Sequence, residues 1–276
     1  MKLGILGTGN MGGAILKGFS EALDRAASEG RDADSQIYAF DADEAKLAAT
    51  AALPFVTPVG SLTELAVNAD FLLIALKPNI FDTVIPEVAA AAKAAGGGKV
   101  YISIAAGISI GWLASVLGAD AKIIRVMPNT PAMVGAGMAG LSRSESVSDL
   151  EFQQALGIFG SIGRAVEVPE SAMDAVVGVS GSSPAYAYMY MQALIECAVE
   201  AGIPEAEARI FAAQSTLGAA KMVLENTDSP EQLRINVCSP GGTTIEAVNL
   251  FLEKDFMGLV KEGMNAAIAK SEKMTK

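Results

Sequence analysis

Two glycine-rich segments carry most of the chemistry that this sequence offers. The first is Gly7-Thr8-Gly9-Asn10-Met11-Gly12, which follows an apolar run ending at Leu6 and precedes a helical pattern. In GxGxxG spacing the first glycine permits a tight turn, the second lets a pyrophosphate approach the backbone, and the third allows close helix–strand packing. We therefore predict that Leu6 and the six residues after it bind a dinucleotide at the helix N-terminus. A purely structural glycine turn is the alternative.

Further segments are expected to reach the same site, because ligands in open α/β sheets bind outside the carboxyl ends of the strands. Two of these segments follow apolar strands, and a third is a turn near residue 129. The predicted cofactor contacts here are Ala75, Leu76, Lys77, Pro78, Ala105, Ala106 and Asn129. For Lys77 a solvated surface lysine is the alternative interpretation.

Asp41 stands at the end of the predicted second strand, where an acid binds the adenosine ribose hydroxyls. Its charge would repel a 2′-phosphate, so the sequence favours NADH over NADPH and leaves NADPH open. The alternative is a helix cap, since Asp41-x-x-Glu44 is also a capping-box pattern.

The second chemical segment is Ser239-Pro240-Gly241-Gly242-Thr243-Thr244. Thr243-x-x-Glu246 is a capping-box pattern, which predicts Thr243 as the N-cap of a helix and leaves the Thr244 hydroxyl free for a ligand. The turn before it exposes backbone N–H groups at the positive end of that helix, a site for a carboxylate or phosphate. An ordinary glycine-rich turn is the alternative.

Composition excludes several classes of function. The chain has 276 residues, a formal net charge of −11 and no histidine. Ser-His-Asp and Cys-His catalysis and imidazole metal sites are therefore excluded, and we expect no metal. The acidic balance argues against nucleic acid and anionic membranes as partners. Cys197 and Cys238 form no CxxC pair, which favours a reducing, cytoplasmic compartment.

The elements that must position these segments divide the chain into two parts. Strands and helices alternate over residues 1–168, which predicts an α/β Rossmann-type domain with a doubly wound, mostly parallel sheet. Its predicted strands are Leu3–Leu6, Ile37–Phe40, Phe71–Leu76, Val100–Ile104, Ile123–Val126 and Arg164–Val168. Residues 169–276 show only helical patterns and predict an all-helical domain for substrate binding and dimerisation. Its predicted helices are Ser171–Val177, Pro184–Ala201, Pro204–Asn226, Pro230–Val237 and Thr243–Glu253.

One predicted helix is apolar on nearly every face. The segment from Pro184 to Ile195 needs a protein environment all round it, and a domain of about 100 residues has little core to provide one. We therefore predict an obligate homodimer whose helical domains interlock.

Over essentially its whole length the sequence resembles the pyrroline-5-carboxylate reductase family. The resemblance rests on the two glycine-rich segments and on motifs between them. These motifs are Ala75-Leu76-Lys77-Pro78, Arg125-Val126-Met127-Pro128-Asn129-Thr130-Pro131, Ser180-Gly181-Ser182-Ser183-Pro184-Ala185-Tyr186 and Ala213-Gln214-Ser215-Thr216-Leu217-Gly218-Ala219-Ala220-Lys221-Met222.

The resemblance implies reduction of L-1-pyrroline-5-carboxylate to L-proline with NADPH or NADH, by hydride transfer to the cyclic imine carbon. It also implies a homodimer formed through the helical domain, with decamers as a further level of assembly. On this basis Ser239, Gly241, Gly242, Thr243 and Thr244 are predicted to bind substrate. Thr244 is the predicted catalytic residue and would hydrogen-bond the ring nitrogen.

The sequence departs from the family at two positions. Ser183 stands where glycine is usual, and we expect it to act as an N-cap before Pro184. Asp41 replaces the small polar or basic residues that often accompany NADPH. Two other functions stay open: a β-hydroxyacid or 6-phosphogluconate-type dehydrogenase, and a non-catalytic dinucleotide-binding regulatory protein. The first requires a lysine and an asparagine that the stretch Ala185–Met189 lacks.

Overall fold

The computed structural model describes residues 1–31 and 34–276. Eight strands lie within the described residues. They are β1 (Lys2–Leu6), β2 (Gln36–Phe40), β3 (Val56–Pro58), β4 (Phe71–Ile74), β5 (Val100–Ser103), β6 (Lys122–Met127), β7 (Gly137–Arg143) and β8 (Gly163–Glu167).

Twelve α-helices lie in the same described part of the chain. They are α1 (Asn10–Ser28), α2 (Glu44–Thr50), α3 (Leu62–Asn68), α4 (Phe81–Ala94), α5 (Ile110–Leu117), α6 (Asp149–Gly160), α7 (Met173–Val176), α8 (Ser183–Glu200), α9 (Glu205–Glu225), α10 (Pro230–Val237), α11 (Thr243–Glu253) and α12 (Phe256–Met274). Short 3₁₀ turns cover Pro78–Ile80, Thr130–Val134 and Glu170–Ala172, and a π-helical turn covers Val177–Gly181.

The strands form one sheet in the order β3-β2-β1-β4-β5-β6-β7-β8. The strands from β3 to β6 run parallel, β7 pairs antiparallel with β6, and β8 pairs parallel with β7. The part from β3 to β6 has the strand order 3-2-1-4-5-6 of dinucleotide-binding folds. The predicted α/β fold, a doubly wound mostly parallel sheet followed by helices, is confirmed.

Both faces of the sheet are covered, which is why its central strands are continuous apolar runs. On one face Leu3 and Ile5 of β1 lie in a core with α1 and α6. On the other face Leu6 and Leu72 lie in a core with α3, α4 and α5. Adjacent strand residues thus face opposite cores, as the two-residue period of a strand requires.

Serine side chains cap the N-termini of several of these helices. Ser148 and Glu151 form a complete capping box at the start of α6. The Ser61 side chain accepts a hydrogen bond from the Glu64 backbone at the start of α3. The predicted N-cap role of Ser183 is wrong. Ser183 is the first residue of α8, and its N-cap is Ser182, the single residue between the π-helical turn and α8.

Three elements were not predicted, namely β3, β7 and α12. Strand β7 has the sequence Gly-Met-Ala-Gly-Leu-Ser-Arg, which contains no long apolar run. Its glycines are required by close packing, since a Cβ atom on Gly140 would lie 2.9 Å from Cγ1 of Val176. Strand β3 is only three residues long and contains Pro58.

The chain folds into two compact units. One comprises Met1–Gly181 and Ala267–Lys276, and the other comprises Ser182–Ala266. The predicted division into residues 1–168 and 169–276 stays a prediction.

The second unit leaves a large apolar surface uncovered within one chain. No residue of α8 is buried, and the side chains of Tyr188 and Met189 are 58% and 74% exposed. Helix α11 also has no buried residue, and its apolar side chains Leu250 and Leu252 are exposed in the single chain. Such exposure is typical of a surface that another protein chain covers.

None of the helices in residues 1–31 and 34–276 is long and apolar enough to cross a membrane.

Candidate functional site

The first glycine turn leads directly into the N-terminus of α1. Gly9 is the N-cap, no side chain from the described residues caps the helix, and its first turn contains no acidic residue. The first-turn N–H groups, those of Asn10 and Met11 among them, therefore lack intrahelical acceptors at the positive end of a long helix. This arrangement is suited to bind the pyrophosphate of a dinucleotide.

The three glycines of this turn have different roles. Gly7 has φ +95°, and a Cβ atom there would lie 2.7 Å from the carbonyl oxygen of Ala75. A Cβ atom on Gly12 would overlap the carbonyl oxygen of Gly7, at 2.0 Å. A Cβ atom on Gly9 would meet nothing within 4 Å. Gly7 and Gly12 are thus required by packing, while the space beside Gly9 is open to a ligand.

Asp41 bonds to the same turn. Its Oδ2 accepts from the Thr8 backbone N–H at 2.6 Å and from the Thr8 hydroxyl at 3.0 Å. Its Oδ1 accepts from the Asp43 backbone N–H at 2.9 Å. Partial burial raises the pKa of the Asp41 carboxyl, but these hydrogen bonds and the charge of Lys46 outweigh burial, so the pKa lies below its usual value. Asp41 is therefore ionised at neutral pH.

The alternative role of Asp41 as a helix cap is wrong. The N-cap of α2 is Asp43, whose carboxylate accepts hydrogen bonds from the Ala45 and Lys46 backbones. Asp41 instead bonds to Thr8 in the first glycine turn, and its contact with the adenosine ribose stays a prediction.

A cleft of about 490 Å³ opens at the carboxyl ends of β1, β4, β5 and β6. Most of its lining comes from segments that the sequence singled out. The lining residues are Gly9, Asn10, Met11, Lys46, Ala75, Leu76, Lys77, Pro78, Ile104, Ala105, Ala106, Met127 and Pro128. Four strand ends and one helix N-terminus thus converge on a single cleft, the expected arrangement at a switch point of such a sheet.

Some lining residues were missing from the predicted set, namely Lys46, Ile104, Met127 and Pro128, the last of which belongs to the predicted turn near residue 129. Ile104 and Met127 continue or end predicted strands, so the rule that ligands bind at strand ends could have included them. Lys46 lies in the first turn of α2 and forms an ion pair with Asp43 at 2.9 Å. Its place at the cleft depends on how α2 packs, which local sequence does not report.

Asn129 is held by other parts of the protein rather than exposed in the cleft. Its side-chain amide donates to the backbone oxygen of Ser180 at 3.1 Å and to the Ser180 hydroxyl at 3.3 Å. Its carbonyl oxygen accepts from the Met138 backbone at 2.8 Å. The side chain is buried and all three bonds are internal, so a direct contact between Asn129 and a cofactor stays a prediction.

The second glycine turn lies in the other unit, between α10 and α11. Gly241 has φ +69°, and the Gly242 backbone donates to the carbonyl oxygen of Ser239 at 3.0 Å. Gly242 is the N-cap of α11 and carries no side chain, so the first-turn N–H groups of this helix are uncapped. These amides can hold an anion, as those of α1 can.

The predicted capping role of Thr243 is wrong. Thr243 is the first residue of α11 rather than its cap, because the preceding turn already places Gly242 in the extended N-cap conformation. Within the described chain, the hydroxyls of Ser239, Thr243 and Thr244 donate to no protein acceptor. The turn therefore offers three hydroxyl groups in addition to its backbone amides.

Comparison with known proteins finds similar proteins over the whole length of the chain. Residues 170–274 match the family described as "Pyrroline-5-carboxylate reductase dimerisation", and residues 2–107 match the family "NADP oxidoreductase coenzyme F420-dependent". The chain is 42% identical over 275 residues to a pyrroline-5-carboxylate reductase of Escherichia coli, which covers 100% of this chain and 98% of that protein.

Solved structures show the same similarity. A pyrroline-5-carboxylate reductase from Coxiella burnetii superimposes with a TM-score of 0.89 at 30% identity, covering 99% of this chain and 98% of that one. The Plasmodium falciparum pyrroline carboxylate reductase with NADP bound gives a TM-score of 0.84 at 28% identity, covering 100% and 98%.

Proposed function

The chain belongs to the pyrroline-5-carboxylate reductase family, and we propose that it reduces L-1-pyrroline-5-carboxylate to L-proline with a reduced nicotinamide dinucleotide. The observation that carries this proposal is the pair of uncapped helix N-termini, each preceded by a glycine turn. The reaction needs two anions to be held, the cofactor pyrophosphate and the substrate carboxylate. A chain of net charge −11 can hold both through backbone amides rather than clusters of basic residues.

The α1 turn and the cleft hold the cofactor in this proposal. A dihydronicotinamide bound there would supply the hydride. The amides of Asn10 and Met11 receive the pyrophosphate, and the open space beside Gly9 allows its approach. Ala105, Ala106 and the turn that begins at Pro128 frame the nicotinamide end of the cleft.

The α11 turn holds the substrate. The backbone amides of the Gly241–Thr244 turn and the hydroxyls of Ser239 and Thr243 bind the carboxylate. The two hydroxyls donate to no protein acceptor in the described chain, whereas the Gly242 N–H also donates to the Ser239 carbonyl oxygen. The Thr244 hydroxyl bonds the ring nitrogen and donates or relays the proton. An imine is basic enough for a hydroxyl or water to serve in this step, which explains how the reaction proceeds without histidine.

We further propose that the enzyme prefers NADH to NADPH. The Asp41 carboxylate is ionised, fixed by three hydrogen bonds and located next to the turn that receives the adenosine half of the cofactor. A 2′-phosphate placed there would face a fixed negative charge. Comparison of KM for NADH and NADPH tests this preference, and a tenfold preference for NADPH would refute it.

The helical domain, residues 169–276, is proposed to form a homodimer, with decamers as the next level of assembly. The exposed apolar side chains of α8 and α9, such as Met189 and Phe211, support this, because a single chain leaves them in water. A concentration-independent monomer in sedimentation would contradict the dimer. Cys197 and Cys238 are free thiols, which fits a reducing cytoplasmic location.

Steady-state turnover of pyrroline-5-carboxylate with NADH and with NADPH is the direct test. We expect saturable oxidation of the cofactor with formation of proline. The reverse assay, proline-dependent reduction of NAD or NADP at high pH, separates this activity from the other two candidates. A hydroxyacid dehydrogenase would instead be active on hydroxyacids, and a regulatory protein would bind the nucleotide without turnover.

A further inference from the structure

The last residues of the described chain bond to the loop that follows β5. The Lys276 backbone N–H donates to the carbonyl oxygen of Gly107 at 2.9 Å. The backbone oxygen of Lys276 accepts from the Ser109 N–H at 3.3 Å and from the Ser109 hydroxyl at 2.5 Å. The two backbone bonds flank Ile108 in the arrangement of a parallel strand pair, so Lys276 extends this loop as a short added strand would.

Side chains hold the same segment in place. The Lys276 ammonium lies 2.7 Å from Oδ2 of Asp82 and 5.6 Å from the centroid of the Trp112 ring. The Asp174 carboxylate accepts from the hydroxyl of Ser271 at 2.5 Å and from that of Thr275 at 3.2 Å. The segment is therefore fixed by backbone bonds, an ion pair and a cation–π contact together.

The loop after β5 has a glycine at the point where the C-terminal segment packs against it. Gly107 has φ +74°, and a Cβ atom there would lie 2.9 Å from the backbone oxygen of Met274. A side chain at this position would be both strained and in contact with the C-terminal backbone.

Both attachment points lie close in sequence to residues that line the proposed cofactor cleft. Gly107 follows Ala106, which lines the cleft, and Asp82 lies in the first turn of α4, shortly after Pro78, which lines it from the β4 side. Lys276 therefore links the segments after β4 and β5, both of which form the cleft. Small displacements of such walls are enough to weaken a bound ligand.

We propose that Met274–Lys276 is a positioning segment for the nicotinamide end of the cofactor site, with Lys276 as its main positioning residue. This inference rests on the proposed function. It assigns no chemical step to Lys276, which acts through the two cleft walls.

The test uses Lys276→Ala in the full-length protein, with Lys273→Ala as the matched control. Lys273 has the same charge and lies on the exposed end of α12, without an ion-pair or hydrogen-bond partner in the described chain. Trp112 is the only tryptophan in the sequence, so its fluorescence reports whether the segment has left the loop. Isothermal titration with NAD and NADP gives cofactor affinity independently of turnover.

We expect Lys276→Ala to change the Trp112 emission, to raise the cofactor Kd and KM about 5- to 10-fold, and to leave kcat within about 2-fold. Lys273→Ala should resemble the wild type, and Lys276→Arg should restore affinity because it keeps the ion pair with Asp82. A protein truncated after Met274 should bind cofactor at least as weakly as Lys276→Ala.

Three outcomes would overturn the inference. In the first, the Trp112 emission changes but cofactor affinity does not. In the second, the protein truncated after Met274 keeps both the wild-type Trp112 emission and the wild-type cofactor affinity. In the third, Lys273→Ala weakens binding as much as Lys276→Ala, which would indicate a general charge effect. Failure of the wild-type protein to bind nucleotide or reduce pyrroline-5-carboxylate would instead contradict the proposed function.

Discussion

The two glycine turns, before α1 and before α11, require glycine for different physical reasons. In the α1 turn, Gly7 and Gly12 are buried and cannot carry a Cβ atom without overlapping backbone atoms. In the α11 turn, a Cβ atom on Gly241 would meet nothing within 4 Å, and only its φ of +69° favours glycine. Gly7 and Gly12 in the α1 turn are therefore required by close packing, whereas Gly241 in the α11 turn is required by its backbone conformation alone.

The polar groups of the two turns differ as well. The Thr8 hydroxyl donates to Asp41, so the polar side chain in the α1 turn has an internal partner. The hydroxyls of Ser239 and Thr244 have none in the described chain. In the proposed function, the first turn offers mainly backbone N–H groups to the cofactor. The second turn adds hydroxyl groups that can bind the substrate and donate a proton to it.

The largest expected effect comes from substituting a packed glycine. Gly12→Ala should reduce kcat/KM by more than about 100-fold and lower the free energy of unfolding by about 1–3 kcal/mol, since its Cβ atom would overlap the Gly7 carbonyl. Gly9→Ala should leave stability within about 0.5 kcal/mol but raise cofactor KM at least about 10-fold. Thermal unfolding and steady-state kinetics check both. Normal cofactor binding by Gly9→Ala would show that the pyrophosphate lies elsewhere.

The next effect tests the free hydroxyl of the second turn. Thr244→Ala should lower kcat about 10- to 100-fold and leave cofactor affinity near normal, because the proposed proton donor is lost but the backbone amides remain. Thr244→Ser keeps the hydroxyl and should retain most of the activity. An unchanged kcat in Thr244→Ala would reject the proton role and leave only positioning of the ring.

A smaller effect concerns the choice of cofactor at the first turn. Asp41→Ser should shift the ratio of kcat/KM for NADPH over NADH upward about 10-fold, because a fixed negative charge beside the 2′ position is removed. Asp43→Ser is the matched control, since serine can still cap α2 while the same charge is lost. Equal shifts of this ratio in both variants would indicate an effect of net charge rather than of a contact between Asp41 and the cofactor.

The smallest effect is on stability in acid. The folded pKa of Asp41 is lowered, so its contribution to stability is fully present above the pKa of the unfolded chain and is lost as pH falls through the folded pKa. The contribution should be below about 1 kcal/mol, because the carboxylate is partly exposed to solvent screening. Denaturant unfolding of wild type and Asp41→Asn between pH 7 and about pH 3 measures it. The difference in stability between the two should shrink toward acid, and a constant difference would contradict this role.

Much of the fold and site could be predicted because the signals are local. The GxGxxG spacing, the apolar runs of the central strands and the Ser148–Glu151 capping box each act over a few residues. The predictions that failed concern residues that compete for the same structural role, or contacts between segments far apart in the sequence. Gly242 rather than Thr243 caps α11, because the turn bonded to Ser239 sets the cap one residue earlier.

The sequence by itself determined the alternation of the central strands with helices, the two glycine turns at helix N-termini and the absence of histidine from the chemistry. Only the tertiary structure decided that Asp41 bonds to Thr8, 33 residues away in the chain, and that Asn129 is held by Ser180, 51 residues away. It also decided that Lys276 meets the loop at Gly107. The physical reason is that periodicity and capping act within a few residues, whereas these bonds form only when folding brings distant segments together.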